Sequence, residues 1–118
     1  MYIAAQKGHI DIVEKLIAAG CDVDKARTDT GATPLYIAAN RGHIDIVEKL
    51  IAAGCDVDKA KTTTGTTPLF IAAQKGHIDI VKQLLENGAN KLLCDSDGDS
   101  PLDVARVWGH NNIAALLK

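Results

Sequence analysis

The chain has 118 residues, a formal net charge of −2 and 3% aromatic residues. It is too short for two ordinary hydrophobic cores, and its slight negative charge offers no general attraction for nucleic acid. No apolar run approaches the ~18 residues of a membrane span, and the first residues lack the charged and apolar zones of a secretory signal. The composition predicts one small domain in the cytoplasm, with no nucleic-acid or membrane partner.

One dipeptide recurs at regular intervals along the chain. Gly-His occurs at Gly8-His9, Gly42-His43, Gly76-His77 and Gly109-His110, at intervals of 34, 34 and 33 residues. A period of about 20 to 50 residues is typical of chains in which each unit buries its apolar face against its neighbours. We therefore predict a stack of repeats, with its function on the surface of the stack.

The first unit begins within a helix. Met1 to Ala5 align with Leu35 to Ala39, so the first unit lacks the turn that precedes this helix in later units. We expect a truncated first repeat that has no cap on its N-terminal side. If Met1 and Ile3 are left uncovered there, we expect the chain to self-associate through this end.

The second unit contains the signals of a full repeat. Thr33 can cap a helix with its hydroxyl, and Pro34 suits the first helical position because no N–H is needed there. Gly42 can end this helix in the left-handed conformation. A second helix, with apolar residues at helical spacing, is predicted between this glycine and Gly54. The polar stretch that follows contains Gly65, which is placed for a tight turn.

These residues resemble the ankyrin repeat, and the match recurs through the whole chain. The resemblance rests on Thr33-Pro34-Leu35, Ala38-Ala39, Gly42-His43, Ile46-Val47, Leu50-Ile51 and Gly54. It implies an all-α repeat solenoid, an ankyrin-type stack of helix-turn-helix units joined by β-hairpin loops. It also implies a single domain over residues 1–118, divided into a truncated first repeat at 1–33, a second repeat at 34–67, a third repeat at 68–100 and a C-terminal capping repeat at 101–118. The His that usually follows Thr-Pro-Leu in the family is replaced by Tyr36, Phe70 and Asp103.

The last repeat has the composition of a cap. Polar or smaller residues replace apolar residues of the third repeat: Arg106 for Ala73, Asn111 for Ile78 and Ala114 for Val81. A terminal repeat needs such a face because no unit stacks beyond it.

Four aligned histidines, His9, His43, His77 and His110, raise the question of a metal site. Equivalent positions in stacked helices lie roughly 8 to 10 Å apart, whereas a shared ion needs ligand nitrogens at about 2.0 to 2.1 Å. We therefore expect these histidines to form hydrogen bonds at the turns between helices. No metal or other cofactor is expected.

The cysteines favour a reducing compartment. Cys21 and Cys55 occupy equivalent positions, and the expected stacking distance exceeds the ~7 Å limit for a disulfide. We expect both to be small buried thiols, and we expect Cys94 to be exposed in the third loop. Three cysteines without a framework spacing fit a reduced protein.

The chain lacks the motifs of an enzyme. The segment Asp95-Ser96-Asp97-Gly98-Asp99 resembles the start of a calcium loop, but Arg106 stands at the twelfth position, where Glu is required. We therefore expect a solvated loop tip there. No nucleophile elbow, phosphate-binding Gly-rich loop or evident acid pair is present, so we predict that the chain is not an enzyme.

Differences between the first two repeats are confined to a few positions. Of the 34 pairs between residues 2–35 and 36–69, five differ: Gln6/Asn40, Lys7/Arg41, Arg27/Lys61, Asp29/Thr63 and Ala32/Thr66. These positions fall at the end of the first helix and in the loop. In the ankyrin family these two elements line the concave recognition surface. Selection for a partner would concentrate changes there, but exposed positions also accept substitutions at little cost. We favour the second explanation of the differences.

Two rows of side chains on this surface are candidates for binding. Tyr2, Tyr36 and Phe70 recur at one position of successive first helices, with Trp108 near the fourth. Aromatic side chains often anchor partners; the alternative is packing between helices, which we expect for Phe70 more than for Tyr36. A second, basic row consists of Lys7, Arg41 and Lys75. It can bind acidic side chains of a partner, and the alternative is an ordinary solvated face. The complete candidate set is Tyr2, Gln6, Lys7, Arg27, Asp29, Ala32, Tyr36, Asn40, Arg41, Lys61, Thr63, Thr66, Phe70, Gln74, Lys75 and Trp108.

An extended surface suits a protein or peptide better than a small molecule. The resulting interpretation is a non-catalytic protein–protein interaction module that binds its partner through the concave face and the hairpin tips. One alternative is an engineered or consensus-like scaffold without a natural partner, which the near-identity of the first two repeats favours. Another is a regulatory fragment of a larger protein. The less regular third and fourth repeats favour a natural origin.

Overall fold

A computed structural model describes all residues, 1 to 118, and contains eight α-helices and no β-strand. The helices form four pairs, which we call units 1 to 4, stacked into a body of 39 × 26 × 22 Å. In chain order they are α1 (Tyr2–Lys7), α2 (Ile10–Ala18), α3 (Pro34–Arg41), α4 (Ile44–Ala52), α5 (Pro68–Lys75), α6 (Ile78–Glu86), α7 (Pro101–Val107) and α8 (Asn111–Leu117). The predicted all-α repeat solenoid is confirmed.

Local capping fixes where the first helix of each unit begins and ends. The Thr33 hydroxyl accepts a hydrogen bond from the Tyr36 N–H at 3.1 Å, and Pro34 is the first residue of α3. The same arrangement starts α5 and α7, where Ser100 also forms a reciprocal capping box with Asp103. Gly42 ends α3 with a φ of 79°, in the left-handed region that glycine tolerates. These helix signals were predicted correctly from the sequence.

The core is built from alanine and branched aliphatic side chains. Within the first helices, alanines with no exposed surface, such as Ala38 and Ala72, let α1, α3, α5 and α7 pack closely side by side. Larger side chains fill the space between the two helix layers, and those that are fully buried include Leu35, Ile46, Leu50, Leu69, Ile80 and Leu84. The second helices pack less extensively on one another.

The two ends of the stack differ. Ile3 is 59% exposed and Ile12 48% exposed, whereas their equivalents in unit 2, Ile37 and Ile46, are 5% and 0% exposed. The N-terminal face is therefore uncovered and apolar. At the other end, Arg106 and Asn111 are exposed, which agrees with a polar outer face.

The loops between units are turns without regular strands. In the first loop the Arg27 N–H donates to the Ala32 carbonyl at 2.9 Å, and the Gly31 N–H donates to the Arg27 carbonyl at 2.8 Å. The second loop repeats this closure between Lys61 and Thr66. The expected β-hairpins are thus reduced to hairpin turns, because one closing bond is too little pairing for a strand ladder.

Candidate functional site

The first helices and the loop tips form one continuous side of the stack, which we call the helix–loop face. Equivalent positions on its helices form three rows: Tyr2, Tyr36, Phe70 and Asp103; Gln6, Asn40, Gln74 and Val107; and Lys7, Arg41, Lys75 and Trp108. The first three members of each row are chemically alike, and the fourth differs in every row. Unit 4 therefore presents a different surface from units 1 to 3.

Most candidate binding residues lie at the surface of this face. Seven are exposed: Lys7, Arg27, Asp29, Arg41, Thr63, Lys75 and Trp108. Five are half-buried: Tyr2, Gln6, Asn40, Lys61 and Gln74. The remaining four are buried: Ala32, Tyr36, Thr66 and Phe70.

The burial of these four residues corrects two expectations from the sequence. The five varied pairs were expected to lie at the surface, which is wrong for Ala32 and Thr66, because these residues pack at the base of the loop. Tyr36 and Phe70 are each 5% exposed, so the expected difference between them is absent. The Tyr36 ring contacts Lys61 and Thr66 of the loop that follows its unit, and the low exposure of both rings leaves little of their surface for a partner.

Contacts around Tyr36 show how a loop is held on its helix. The Lys61 ammonium lies 5.5 Å from the centre of the Tyr36 ring, and the Thr66 hydroxyl donates to the Tyr36 hydroxyl at 3.4 Å. Thr66 also shares a hydrogen bond of 2.7 Å with Thr64. In unit 1 the corresponding contact places Arg27 over Tyr2 at 5.2 Å. Tyr2 and Tyr36 therefore hold the loops of units 1 and 2 on their helices.

Two of the varied positions are coupled by an ion pair. The Arg27 guanidinium donates from two nitrogens to the Asp29 carboxylate, at 2.8 and 2.6 Å. The hydrogen bond and the charge of Asp29 raise the pKa of Arg27, and the hydrogen bond from Arg27 lowers the pKa of Asp29 to about 2. In unit 2 the equivalents are Lys61 and Thr63, which form no such pair. Arg27 and Asp29 thus neutralise each other, while Lys61 keeps a free charge.

Three of the histidines join successive units. Nε2 of His43 donates to the carbonyl of Gln6 at 3.1 Å, His77 to Asn40 at 3.0 Å, and His110 to Gln74 at 3.0 Å. The equivalent His9 in unit 1 is exposed and makes no side-chain hydrogen bond. The predicted hydrogen bonding at the inter-helix turns is confirmed for these three, and the same bonds fix the ends of the first helices. No group of three or more His, Cys, Asp or Glu side chains is arranged to hold a metal ion.

Comparison with known proteins identifies the family. A family model described as ankyrin repeats in three copies matches residues 1–95 and, in an overlapping match, residues 54–118. The chain belongs to the ankyrin repeat family. Ankyrin repeats are generally protein–protein interaction modules, and the family is generally non-catalytic. No curated protein matches this chain, and none of its helices has the length and apolarity needed to cross a membrane.

The cysteines of this ankyrin stack are more accessible than the sequence suggested. Cys21 is exposed and Cys55 is half-buried, so the expectation that both are buried is wrong; Cys94 is exposed, as expected. Cys21 and Cys55 follow the glycine that ends a second helix, at the edge of the stack. Burial and then the charges of Asp24 and Asp56 raise the pKa of Cys55 to about 12, so its thiol stays protonated near neutral pH.

A groove at the C-terminal end of the ankyrin helix–loop face was found only in part from the sequence. The second and third loops, α5 and α7 line this groove, which has a volume of about 470 Å³. Its lining includes the candidates Thr63, Thr66, Phe70, Gln74 and Trp108, and it also includes Asp97, Asp99, Asp103 and Val107, which were not candidates. The signal was present in the sequence, because aligning unit 4 with unit 3 replaces Phe70, Gln74 and Lys75 by Asp103, Val107 and Trp108.

Proposed function

We propose that this ankyrin domain is a non-catalytic interaction module that binds a protein or peptide partner through its helix–loop face. The observation that carries the proposal is the exposed row formed by Lys7, Arg41 and Lys75 and ending in Trp108. Loops held on the helices and histidines that join the units keep this row in a fixed arrangement, which lowers the entropy cost of binding. An extended open surface of this kind suits a macromolecular partner better than a small molecule.

Charge reversal on this row tests the proposal without disturbing the core. We expect the double variant Arg41→Glu and Lys75→Glu to retain fewer proteins from a cell lysate than the unaltered chain, because both side chains are exposed on the helix–loop face. The matched control is Lys15→Glu and Lys82→Glu, which makes the same charge change at exposed positions of the second helices. Retained proteins are identified by mass spectrometry, after circular dichroism has verified folding.

Equal losses in both double variants would contradict a site on the helix–loop face. If the unaltered chain retains no protein specifically, the result would favour a second candidate, an engineered or consensus-like scaffold without a natural partner. That candidate is supported by α2 and α4, which have the identical sequence IDIVEKLIA. A third candidate is a regulatory segment of a larger protein. In that case the helix–loop face would bind another part of the same polypeptide.

We also propose that the uncovered N-terminal face associates with a second copy of the chain. Ile3 and Ile12 are exposed there, and apolar surface left in water favours association. In sedimentation or light scattering, we expect the mean mass to rise above 12.5 kDa with concentration. The double variant Ile3→Ser and Ile12→Ser is expected to stay monomeric.

The control for self-association removes the same kind of surface elsewhere. Leu92→Ser and Val107→Ser replace side chains that are 76% and 81% exposed but lie away from the N-terminal face. Association that persists in this control supports the proposal. A mass of 12.5 kDa for the unaltered chain at every concentration would overturn it.

We further propose a cytoplasmic location. The three cysteines are unpaired, and two of them are exposed. Such thiols suit a reducing compartment. Imaging of the tagged chain in cells tests this location directly.

A further inference from the structure

The groove at the C-terminal end of the helix–loop face is lined by both carboxylates and apolar surface. Its lining includes Asp97, Asp99 and Asp103, and all three residues are exposed. It also includes Val107 and Trp108, which are 81% and 59% exposed. Exposed aromatic surface beside unpaired charge is typical of a binding site.

The carboxylates of the groove are not neutralised within the chain. The two ion pairs of the protein, Arg27 with Asp29 and Lys49 with Glu14, lie in units 1 and 2. The carboxylates of Asp97 and Asp99 make no hydrogen bond. The loop is closed instead by Asp95, whose carboxylate accepts hydrogen bonds from the backbone N–H groups of Asp97 and Asp99 at 3.0 and 2.9 Å. Both side chains are therefore available to a cation from outside.

Asp103 adds a third negative charge in a fixed position. Its carboxylate accepts a hydrogen bond from the Ser100 N–H at 2.9 Å as part of the cap of α7. Hydrogen bonds from the backbone and then the side chain of Ser100 lower the pKa of Asp103. Arg106, the neighbouring cation on α7, contributes to this lowering but forms no ion pair with Asp103.

Trp108 determines which cation fits the groove best. A guanidinium is planar and weakly hydrated, so it can stack on an indole while donating two hydrogen bonds to a carboxylate. An ammonium is compact and strongly hydrated, and it gains less from this combination. Val107 provides adjacent apolar surface for an aliphatic side chain of the same ligand.

We propose that this groove binds a peptide segment carrying arginine next to an aliphatic residue, with the guanidinium between Trp108 and the carboxylates of Asp97 and Asp99. The inference rests on the proposed interaction function and assigns the chemistry of the partner at one end of the helix–loop face. The remainder of the face, with Arg41 and Lys75, contacts other parts of the same partner.

Trp108 makes the proposal directly measurable, because it is the single tryptophan of the chain. The probe is a synthetic peptide of alternating arginine and leucine, with no aromatic residue, titrated into the full chain while tryptophan emission is recorded. We expect a saturable change in emission. The comparison peptide contains citrulline in place of arginine, which keeps the shape but removes the charge, and we expect it to bind at least about fivefold more weakly.

Two charge-matched double variants locate the binding. Asp97→Asn and Asp99→Asn remove the free carboxylates of the groove, and we expect the affinity for the arginine peptide to fall by about tenfold. Asp11→Asn and Asp79→Asn make the same change of net charge at exposed positions in the first turns of α2 and α6. We expect this control to bind like the unaltered chain, which supports a local site over a general charge effect.

Three results would overturn the inference: no saturable emission change, equal binding of the citrulline peptide, or equal weakening in both double variants. None of these would by itself remove the proposed interaction function. If the arginine peptide fails while Arg41→Glu with Lys75→Glu still abolishes retention of a lysate partner, only the arginine specificity is wrong. If both tests fail, the interaction function is contradicted as well.

Discussion

Replacement of Ile46 by alanine is expected to lower the free energy of unfolding by about 3 kcal/mol, whereas the same replacement at Ile12 is expected to cost about 1 kcal/mol or less. Ile46 has no exposed surface because unit 1 covers it, and alanine there leaves a cavity. Ile12 is 48% exposed, so alanine mainly removes surface that water already contacts. Urea unfolding followed by circular dichroism measures both values.

This pair of variants isolates the contribution of stacking. The helices α2 and α4 have the same nine-residue sequence, so helix propensity and local contacts are matched. The difference between the two losses is therefore the effect of the neighbouring unit, as expected for a repeat protein whose stability comes from interfaces between units. Equal losses at the two positions would contradict the stacked arrangement.

Replacement of Gly42 by alanine is the second change for which we expect a large effect, a loss of about 2 to 3 kcal/mol. Gly42 has a φ of +79°, where an L side chain costs about 1 to 2 kcal/mol. A Cβ atom there would also lie 2.8 Å from Cε1 of His77. The ring must then move, which breaks its hydrogen bond to Asn40 at a cost of about 1 kcal/mol.

Gly109→Ala is the matched control for this prediction. Gly109 occupies the same position in unit 4 and has a φ of +73°, but no heavy atom lies within 4 Å of an added Cβ. We expect only the conformational cost, about 1 to 2 kcal/mol, without the further loss of about 1 kcal/mol expected from the histidine contact at Gly42. Denaturant unfolding of both variants separates the cost of the positive φ from the cost of displacing the His77 ring. A loss at Gly109 as large as that at Gly42 would show that this contact contributes nothing.

Much of the fold was predictable because its signals are local. The capping hydroxyl of Thr33, the proline at the first helical position and the left-handed glycine at Gly42 act within a few residues, and each was correctly assigned. The resemblance to ankyrin repeats then supplied the way in which the units stack.

The predictions of burial were wrong where the surroundings of a side chain depend on residues distant in sequence. Tyr36 is buried because a loop about 30 residues later folds over it through Lys61 and Thr66. Cys21 was expected to be buried like a small core residue, but it is exposed, whereas the equivalent Cys55 is half-buried. The pattern of one repeat does not contain this information.

The acidic residues of the groove were missed for a different reason. The sequence analysis compared the first two repeats and followed rows of recurring residues, and the recurrence stops in unit 4. The replacement of Lys75 by Trp108 at the equivalent position becomes meaningful only when the neighbouring loop brings Asp97 and Asp99 close to it. Departures from a repeat pattern can therefore be as informative about binding as the pattern itself.

Site-specific photo-crosslinking reports whether partners bind the helix–loop face. A benzoylphenylalanine placed at Arg41 lies on this face, and one placed at Lys82 lies on a second helix; both positions are exposed. After irradiation in lysate, we predict partner adducts from position 41 and none from position 82. Adducts from position 82 alone, or equal yields of the same adduct from both positions, would contradict the assignment of function to the helix–loop face.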